Sequence, residues 1–340
     1  MIILGLSAGF HDAAATVIGI GGEILFAGHS ERYSKRKHDS NINSELVKHL
    51  KTYNISDIAY YERPWLKQLR NMYSGQGIDL TQITTKQVIK EQLDATFKHA
   101  RVSSYSHHLS HAAAGFQTSQ FERATVVIID AVGEFDTISI WGAEYNHIGT
   151  AKYKLLWRQR YPHSIGLFYS AMTQSVGLHP MDEEYILMGM AAYGRKGLAN
   201  VMKDTLVSHE YDIEFKQNLH TGVGNTFKHY HDADIAASAQ ELAENLIYNV
   251  MRRASNFKWS KNLVYGGGVA LNCLANRNLG EYFDNVWIMP NPGDAGSSLG
   301  AAALRFGRRI NWIDAYLGHD IPGPYPVNDL LDALLTDRIV

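Results

Sequence analysis

The chain has 340 residues, of which 45% are hydrophobic, and 32 Lys and Arg against 34 Asp and Glu give a formal net charge of −2. This composition excludes wholesale disorder, and the near-neutral charge excludes a basic field that would wrap nucleic acid. A single cysteine, Cys273, excludes an internal disulfide framework, no apolar run reaches the ~18 residues of a membrane span, and the N-terminus lacks the basic start of a signal peptide. We therefore expect a soluble cytoplasmic protein without membrane or nucleic-acid partners.

Three predicted strands open the chain. Residues 2–6 form a short apolar run, and Gly21 and Gly22 join the runs 13–20 and 23–28 as a hairpin. Helices and extended segments then follow as far as residue 116, in the order helix 43–52, strand 58–61, surface loop 72–85, helix 86–98, strand 101–105 and helix 107–116.

The succession of strands and helices starts again at residue 124. The run 124–130 (ATVVIID) is a buried strand that ends in a carboxylate. After it, the pattern predicts strands 137–143 and 152–158, helices 164–176, 183–190 and 233–257, strand 262–265, helix 269–279, strand 286–289 and helix 294–306, with an insertion at about 204–232. The repeated order predicts a duplicated α/β fold. Its two lobes, residues 1–120 and 121–310, enclose a central cleft, and residues 311–340 begin a linker.

Two of the 16 histidines are spaced to share one face of a helix. His107 and His111 lie four residues apart in the segment 106–112 (SHHLSHA), which separates them by about 6 Å along a helix axis. Two imidazoles at this spacing can bind one metal ion. The alternative is a polar helix start whose histidines cap the helix or face water.

Three further motifs bring carboxylates or glycines to the start of a turn or helix. Asp130 ends the buried strand, and Gly133 follows in a turn whose N–H groups can face a phosphate, although Asp is also a common turn cap. The three glycines of the segment 265–272 (YGGGVALN) let the backbone approach a ligand closely. The alternative is that the segment is only a tight strand–helix turn. Asp294 follows the stiff loop 290–293 and starts a small-residue helix, where the alternative role is an N-cap.

Two N-terminal segments complete the set of motifs. The turn 9–13 (GFHDA) contains His11 and Asp12 and follows the first strand, where phosphates or their metal would lie. The charged run 31–39 (ERYSKRKHD) follows the third strand. Such runs usually form a solvated face, and Lys37 and His38 are the two members that we assign to the site.

Taken together, these motifs resemble the O-carbamoyltransferase family that includes the NodU, CmcH and TobZ proteins. The matching segments follow the family order within residues 1–318: 9–14 (GFHDAA), 31–39, 107–112 (HHLSHA), 129–134, 166–169 (GLFY), 188–194 (MGMAAYG), 267–272 (GGVALN) and 292–300. Each match is modest by itself, but eight matches in order form a strong signal.

The resemblance implies a duplicated actin/hexokinase-type ATPase fold with a bound metal, typically iron. The residues that match the family's ligands are His107, His111, Asp130 and Asp294. Two imidazoles and two carboxylates suit Fe²⁺, Mn²⁺ or Zn²⁺, and the sequence alone does not choose among them.

The same resemblance implies that ATP or carbamoyl-adenylate binds beside the metal. It places Lys37, Gly268 and Asn272 on the nucleotide and Gly166 in the substrate-side segment. The predicted cofactor-binding residues are these four together with Asp12, Gly133 and Gly267.

The expected reaction follows from the chemistry of the carbamoyl group, whose carbonyl is deactivated by its nitrogen. Joining the group to AMP supplies a good leaving group, and a metal that polarises the carbonyl or the adjoining phosphate stabilises the oxyanion. We therefore expect transfer of carbamoyl from carbamoyl-adenylate, made from carbamoyl phosphate and ATP, to a hydroxyl of a small-molecule acceptor. His11 and His38 are the candidate bases, and the alternative for each is a structural or phosphate-contacting role.

Family members usually carry a second, C-terminal domain that resembles the YrdC fold and makes the carbamoyl-adenylate. Its motif is absent from this sequence, so we expect a separate YrdC-like partner protein, the alternative being a split or truncated gene. Two other functions stay open. One is a transferase of the tRNA threonylcarbamoylation type, which the near-neutral charge disfavours, and the other is a non-catalytic nucleotide-binding remnant.

Overall fold

The computed structural model describes residues 1–93 and 97–318. The predicted helix 86–98 lies partly outside these residues, as does the linker expected over 311–340. None of the helices in the described ranges is both long enough and apolar enough to cross a bilayer.

The first part of the chain forms a mixed sheet with helices around it. Its elements are β1 (Ile3–Ser7), β2 (Ala14–Ile18), β3 (Ile24–His29), α1 (Ser30–Ser34), α2 (Ser44–Leu50), β4 (Asp57–Tyr60), α3 (Pro64–Tyr73), a 3₁₀ turn (Leu80–Gln82), α4 (Thr85–Leu93), β5 (Arg101–Ser104) and α5 (His107–Thr118). Among the described residues, the strand order is β3-β2-β1-β4-β5. β2 pairs antiparallel with β1 and β3, whereas β4 pairs parallel with β1 and β5.

The second part repeats this arrangement around a second sheet. Its strands are β6 (Arg123–Gly133), β7 (Asp136–Tyr145), β8 (Ala151–Arg160), β9 (Val207–His209), β10 (Glu214–Phe215), β11 (Asn262–Gly266) and β12 (Asn285–Ile288). Its helices are α6 (Ile165–Ser175), α7 (Glu184–Met190), α8 (Ala199–Leu206), α9 (Asp232–Asn256), α10 (Cys273–Asn276) and α11 (Ser297–Phe306). Short 3₁₀ turns lie at Ala191–Tyr193, Lys196–Leu198, Leu219–Thr221, Gly268–Leu271, Leu279–Glu281 and Asp294–Gly296.

The two sheets have the same topology, which confirms the predicted duplicated α/β plan. The second sheet has the order β12-β11-β6-β7-β8 in the described part of the chain. On one side of its central strand β6, the successive pairings with β7 and β8 are antiparallel, and on the other side the pairings with β11 and β12 are parallel. The pairings around β1 in the first sheet follow the same pattern. Because parallel strands end at the same edge of a sheet, the segments after them are brought together there.

Small residues let α11 pack closely between the two parts of the chain. Leu299 and Ala301 belong to the core of the first sheet, while the same helix packs against α5. A Cβ on Gly300 would lie 1.8 Å from the Ser110 carbonyl oxygen of α5, and one on Gly5 would lie 1.9 Å from the Ser298 carbonyl oxygen. Although α11 is the last described helix, it therefore packs on the first sheet. The boundary between two lobes at residues 120 and 121 stays a prediction.

Replacing Gly300 by alanine should destabilise the fold. The added methyl meets backbone oxygen rather than a movable side chain, so α5 and α11 must separate, at an expected cost of about 1–3 kcal/mol in the free energy of unfolding. Urea denaturation measures this loss. Gly280→Ala is the matched control, because no atom lies within 4 Å of its added Cβ. Equal unfolding free energies for the two variants would contradict the packing described here.

The predicted single helix over residues 269–279 is wrong. The segment forms a 3₁₀ turn, the short helix α10 and a second 3₁₀ turn. The cause is Asn272, whose backbone (φ −74°, ψ 87°) leaves the helical region and whose side chain accepts a hydrogen bond from Ala275 N. Asn276 holds the first turn by donating to the Ala270 carbonyl.

Three helices and two strands were not predicted, and the expected insertion is more ordered than its sequence indicates. Helices α1, α3 and α8 and the hairpin of β9 and β10 have no counterpart in the sequence pattern. Within residues 204–232, Phe215, Leu219 and Phe227 are buried in the core of the second sheet. A few well-placed apolar side chains are enough to anchor a segment that has no regular period.

Candidate metal and nucleotide site

Four buried ionisable side chains from both halves of the fold converge at one point. His107 and His111 lie one turn apart on α5, Asp130 lies at a bulge of β6, and Asp294 begins the 3₁₀ turn before α11. The Nε2 atoms of the two histidines are 3.0 Å apart. Asp130 Oδ2 lies 3.0 Å and 3.3 Å from these nitrogens, and Asp294 Oδ1 lies 3.3 Å and 3.2 Å from them.

This geometry fits a single metal ion. Donors at the corners of a tetrahedron with edges of this size lie about 2.0 Å from its centre, which is the usual length of metal–nitrogen and metal–oxygen bonds. Hydrogen bonds alone satisfy the cluster poorly, because only one proton can lie between the two Nε2 atoms while both also face carboxylates. A dication with two neutral imidazoles and two carboxylates is balanced in charge.

The charges of the cluster act against the effect of burial. Burial alone would raise the pKa of Asp130 and of Asp294, but the hydrogen bonds and charges of the two histidines hold both pKa values below their usual range. Burial alone would lower the pKa of His107 and of His111, but the facing carboxylates raise both. Without a metal, these shifts thus favour protonated imidazoles that face ionised carboxylates, and a bound cation would replace the imidazole protons.

A second layer of contacts orients the four side chains. Ser297 Oγ lies 3.0 Å from His111 Nδ1, which leaves Nε2 to face the cluster. His107 Nδ1 is buried without a hydrogen bond to any described residue, and its nearest carboxylate, Glu62 Oε2, is 3.8 Å away. Asp130 Oδ1 accepts hydrogen bonds from Ala131 N at 2.8 Å and from Gly268 N at 3.3 Å.

A chain of polar side chains extends from the cluster to the surface. His11 Nε2 lies 3.9 Å from Asp294 Oδ2, and its Nδ1 lies 2.8 Å from Asp12 Oδ2. His38 bridges two carboxylates, with Nδ1 3.1 Å from Asp12 Oδ1 and Nε2 3.0 Å from Asp182 Oδ1. Burial alone would lower the pKa of His11, but its hydrogen bond to Asp12 and the nearby carboxylates raise it.

A cavity of about 280 Å³ opens onto this polar wall. His11, Asp12, Asp130, Gly268 and Asp294 line its polar side. Its apolar side is lined by Met188, Ile247, Val269 and Leu271. The cavity therefore combines an apolar surface for a planar ring with a polar end that reaches the ligand cluster.

The turn after β11 shapes the floor of the cavity. Gly267 has a φ of +87°, and a Cβ there would lie 2.3 Å from the Ile129 carbonyl oxygen, so no other residue fits without strain. Asn272 exchanges two hydrogen bonds with the Gln240 side chain, at 2.9 Å and 3.0 Å. These contacts fix the position of the Gly268 amide beside Asp130.

The structure brings most of the predicted site residues together. The four predicted metal ligands form the cluster, and the predicted residues that line the cavity beside it are His11, Asp12, His38, Gly166, Gly268 and Asn272. Lys37 lies outside the lining. Its side chain is 52% exposed, pairs with Asp182 and lies over the ring of Tyr185.

Gly133 and Gly267 do not line the cavity, and the nucleotide contacts predicted for these two glycines stay predictions. A Cβ on Gly133 would lie 2.2 Å from His107 Cδ2, so this glycine lets the imidazole pack against the strand. Gly267 supports the turn from behind. Both glycines therefore shape the site through close packing.

Sequence reasoning missed several side chains around the cluster. Glu62 follows β4, Asp182 precedes α7, and Glu134 lies inside a segment that the family resemblance includes. Burial raises the pKa of Glu134 to about 7, while its carboxylate accepts a hydrogen bond from Arg63 N at 2.7 Å. The position of Glu62 just after a predicted strand was the one available signal, because the ends of parallel strands lie at the same edge of a sheet.

Comparisons with known proteins agree with this architecture. The family described as Carbamoyltransferase N-terminus matches residues 2–303. An uncharacterized protein of Synechocystis sp. is 30% identical, with 98% of this chain and 62% of that protein covered. Nodulation protein NolNO of Sinorhizobium fredii is 28% identical, with 89% of this chain and 50% of that protein covered. The chain thus spans between about half and two thirds of the length of these relatives.

A solved structure supports the fold. The activator of the 2-hydroxyisocaproyl-CoA dehydratase from Clostridium difficile, solved with bound ADPNP, aligns with a TM-score of 0.50 at 14% identity. The alignment covers 90% of this chain and 94% of the activator. The expected actin/hexokinase-type ATPase fold is confirmed.

Proposed function

Because the chain belongs to the Carbamoyltransferase N-terminus family, we propose that it transfers carbamoyl from carbamoyl-adenylate to a hydroxyl of a small-molecule acceptor. The observation that carries the proposal is that a cavity of about 280 Å³ opens directly onto the four-ligand cluster. That volume is close to the ~300 Å³ at the lower end of small-molecule sites. A nucleotide in the cavity would bring its phosphate end beside Asp130 and Asp294.

We assign His107, His111, Asp130 and Asp294 as ligands of one divalent cation, iron by the family resemblance, with manganese and zinc as alternatives. When bound, the cation supplies a Lewis acid for the carbamoyl carbonyl or the adjoining phosphate. The protein contributes a buried, pre-oriented donor set, held by Ser297 behind His111 and by the Gly268 amide behind Asp130.

The chain's own groups would hold the nucleotide. In the proposed complex the adenosine would lie along Met188, Val269 and Leu271, and its phosphate would lie near Gly268 at the polar end of the cavity. An ATP-type ligand is compatible with this fold, since the dehydratase activator was solved with bound ADPNP.

His11 is the better of the two candidate bases. Its Nδ1 bonds to Asp12, which fixes a tautomer with a free Nε2 that faces the cluster, whereas both ring nitrogens of His38 are occupied by carboxylates. In the proposed step the acceptor oxygen bonds to the carbamoyl carbon, the bond from that carbon to the phosphate oxygen breaks, AMP leaves, and His11 Nε2 takes the hydroxyl proton. His38 is a positioning residue, which holds Asp12 against His11.

The carbamoyl-adenylate must be supplied from carbamoyl phosphate and ATP. We propose that a YrdC-like domain or a separate YrdC-like protein makes it. The test combines the purified chain, Fe²⁺, ATP, radiolabelled carbamoyl phosphate and the YrdC-like domain of a relative, and it follows label in hydroxyl acceptors and in tRNA. We expect label in small acceptors. Label in tRNA alone, or in no acceptor while adenylate is formed, would contradict the proposal.

Filling the cavity should weaken nucleotide binding without affecting the metal. Met188→Trp adds a larger ring to the apolar wall, so we expect the Kd for AMP to rise at least about tenfold, equivalent to ~1.4 kcal/mol. Calorimetric titration with AMP measures the change. Met72→Trp is the control, since Met72 is 54% exposed on α3. Unchanged affinity in Met188→Trp would place the nucleotide elsewhere.

A further inference from the structure

A second, smaller cavity adjoins the ligand cluster. It has a volume of about 80 Å³ and shares His11, Asp130 and Asp294 with the nucleotide cavity. Its opposite wall is formed by α3, which contributes Lys67 and Arg70. The volume is far below the ~300 Å³ of a site for a whole small-molecule ligand, so the cavity suits one small chemical group.

Arg70 brings an unpaired charge into this cavity. The residue is only 5% exposed, and its guanidinium forms no hydrogen bond or ion pair with any residue in the described ranges. Its Nε atom is fully buried without a partner. Arginine is almost never buried unless it is paired, because removing a charge from water is costly.

The other charged groups of the cavity have partners of their own. Lys67 Nζ lies 2.8 Å from Glu62 Oε1, so these two charges offset each other. The Glu134 carboxylate accepts its hydrogen bond from Arg63 N and is not within hydrogen-bond distance of Arg70. Among the described residues, Arg70 is thus the cation of this wall that has no carboxylate within ion-pair distance, and the charge of Glu62 acts on it only from beyond that distance.

We propose that the small cavity is an oxyanion subsite, in which the Arg70 guanidinium binds a carboxylate or phosphate group. Arginine presents two parallel N–H donors that match the paired oxygens of such groups. This inference rests on the proposed function. It specifies that the acceptor is a hydroxyl compound with an anionic group. Anchored at Arg70, that compound would present its hydroxyl toward His11, which lines both cavities.

The subsite is tested first by anion binding alone. The metal-loaded full chain is saturated with AMP to fill the nucleotide cavity and is then titrated with inorganic phosphate, and separately with acetate. We expect one binding event in the wild type and in the control Arg63→Met, whose side chain is exposed, and at least tenfold weaker binding in Arg70→Met. Should Arg70→Met not fold, Arg70→Lys keeps the charge, loses the two-pronged geometry, and is expected to bind with intermediate affinity.

Equal affinity of the wild type and the Arg70 variants, or the absence of phosphate and acetate binding in the wild type, would overturn the proposal. A second arm identifies what carries the anion. Carbamoyl transfer is compared within matched acceptor pairs, glucuronate against glucose and glycerol 3-phosphate against glycerol. If the wild type prefers the anionic member tenfold or more and Arg70→Met removes this preference, the oxyanion belongs to the acceptor.

If Arg70→Met weakens phosphate binding but leaves that preference unchanged, the subsite binds free phosphate, and the oxyanion proposal still stands. Failure of the proposed function has a different signature. In that case no acceptor is carbamoylated, while Arg70-dependent phosphate binding persists.

Discussion

Asp294→Asn should release the metal and abolish carbamoyl transfer. The substitution keeps the size of the side chain but removes the negative charge that faces His107 and His111 at 3.3 Å and 3.2 Å. We expect less than a tenth of the wild-type metal per chain after loading with Fe²⁺ and desalting, and a fall in the transfer rate of about 10³-fold or more. Elemental analysis by mass spectrometry and the radiolabel assay measure the two effects.

The matched control for this prediction is Asp284→Asn. Asp284 is 61% exposed and pairs with Lys261 at the surface, so its replacement should leave metal content and activity at wild-type levels. His107→Ala should reproduce the loss in Asp294→Asn, because both side chains contribute to the same four-ligand cluster. Full metal content in both Asp294→Asn and His107→Ala would contradict the proposed metal centre.

His11→Gln should lower the transfer rate by about 10²–10⁴-fold while the metal stays bound, because a glutamine cannot accept the hydroxyl proton. His11 lies 3.9 Å from Asp294 Oδ2 and is outside the four-ligand cluster, so we expect unchanged metal content and AMP affinity. Single-turnover transfer measures the rate. His38→Gln should have a smaller effect, because His38 acts through Asp12.

His147→Gln is the surface control, since His147 is exposed. A transfer rate of His11→Gln close to that of the wild type would assign the base to another group. Loss of metal in this variant would instead make His11 part of the metal-binding set.

The sequence was informative wherever one local pattern determined the structure. Buried strands such as 124–130 predicted the second sheet, and the spacing of His107 and His111 predicted their shared helix face. The carboxylates at strand and loop ends, Asp130 and Asp294, were predicted to join them through the family resemblance, and the structure places all four within reach of one another.

The sequence was less informative where long-range packing decides. Gly133 has the appearance of a phosphate-binding turn, but in the fold it packs against His107. The break at Asn272 depends on its side chain capping α10 and pairing with Gln240, 32 residues away. Arg70 gave no signal at all, because its unpaired state appears only once α3 is placed against the ligand cluster.

The central claim is that the metal and the nucleotide phosphate share one cleft between the two sheets. It is tested most directly by loading the chain with paramagnetic Mn²⁺, saturating it with AMP and recording the ³¹P signal of the bound nucleotide. We expect strong broadening of that signal in the wild type. In Asp294→Asn, which should release the metal, we expect the broadening to disappear. A sharp ³¹P signal from AMP on a chain that holds one Mn²⁺ would show that the two ligands lie apart, and would contradict the account.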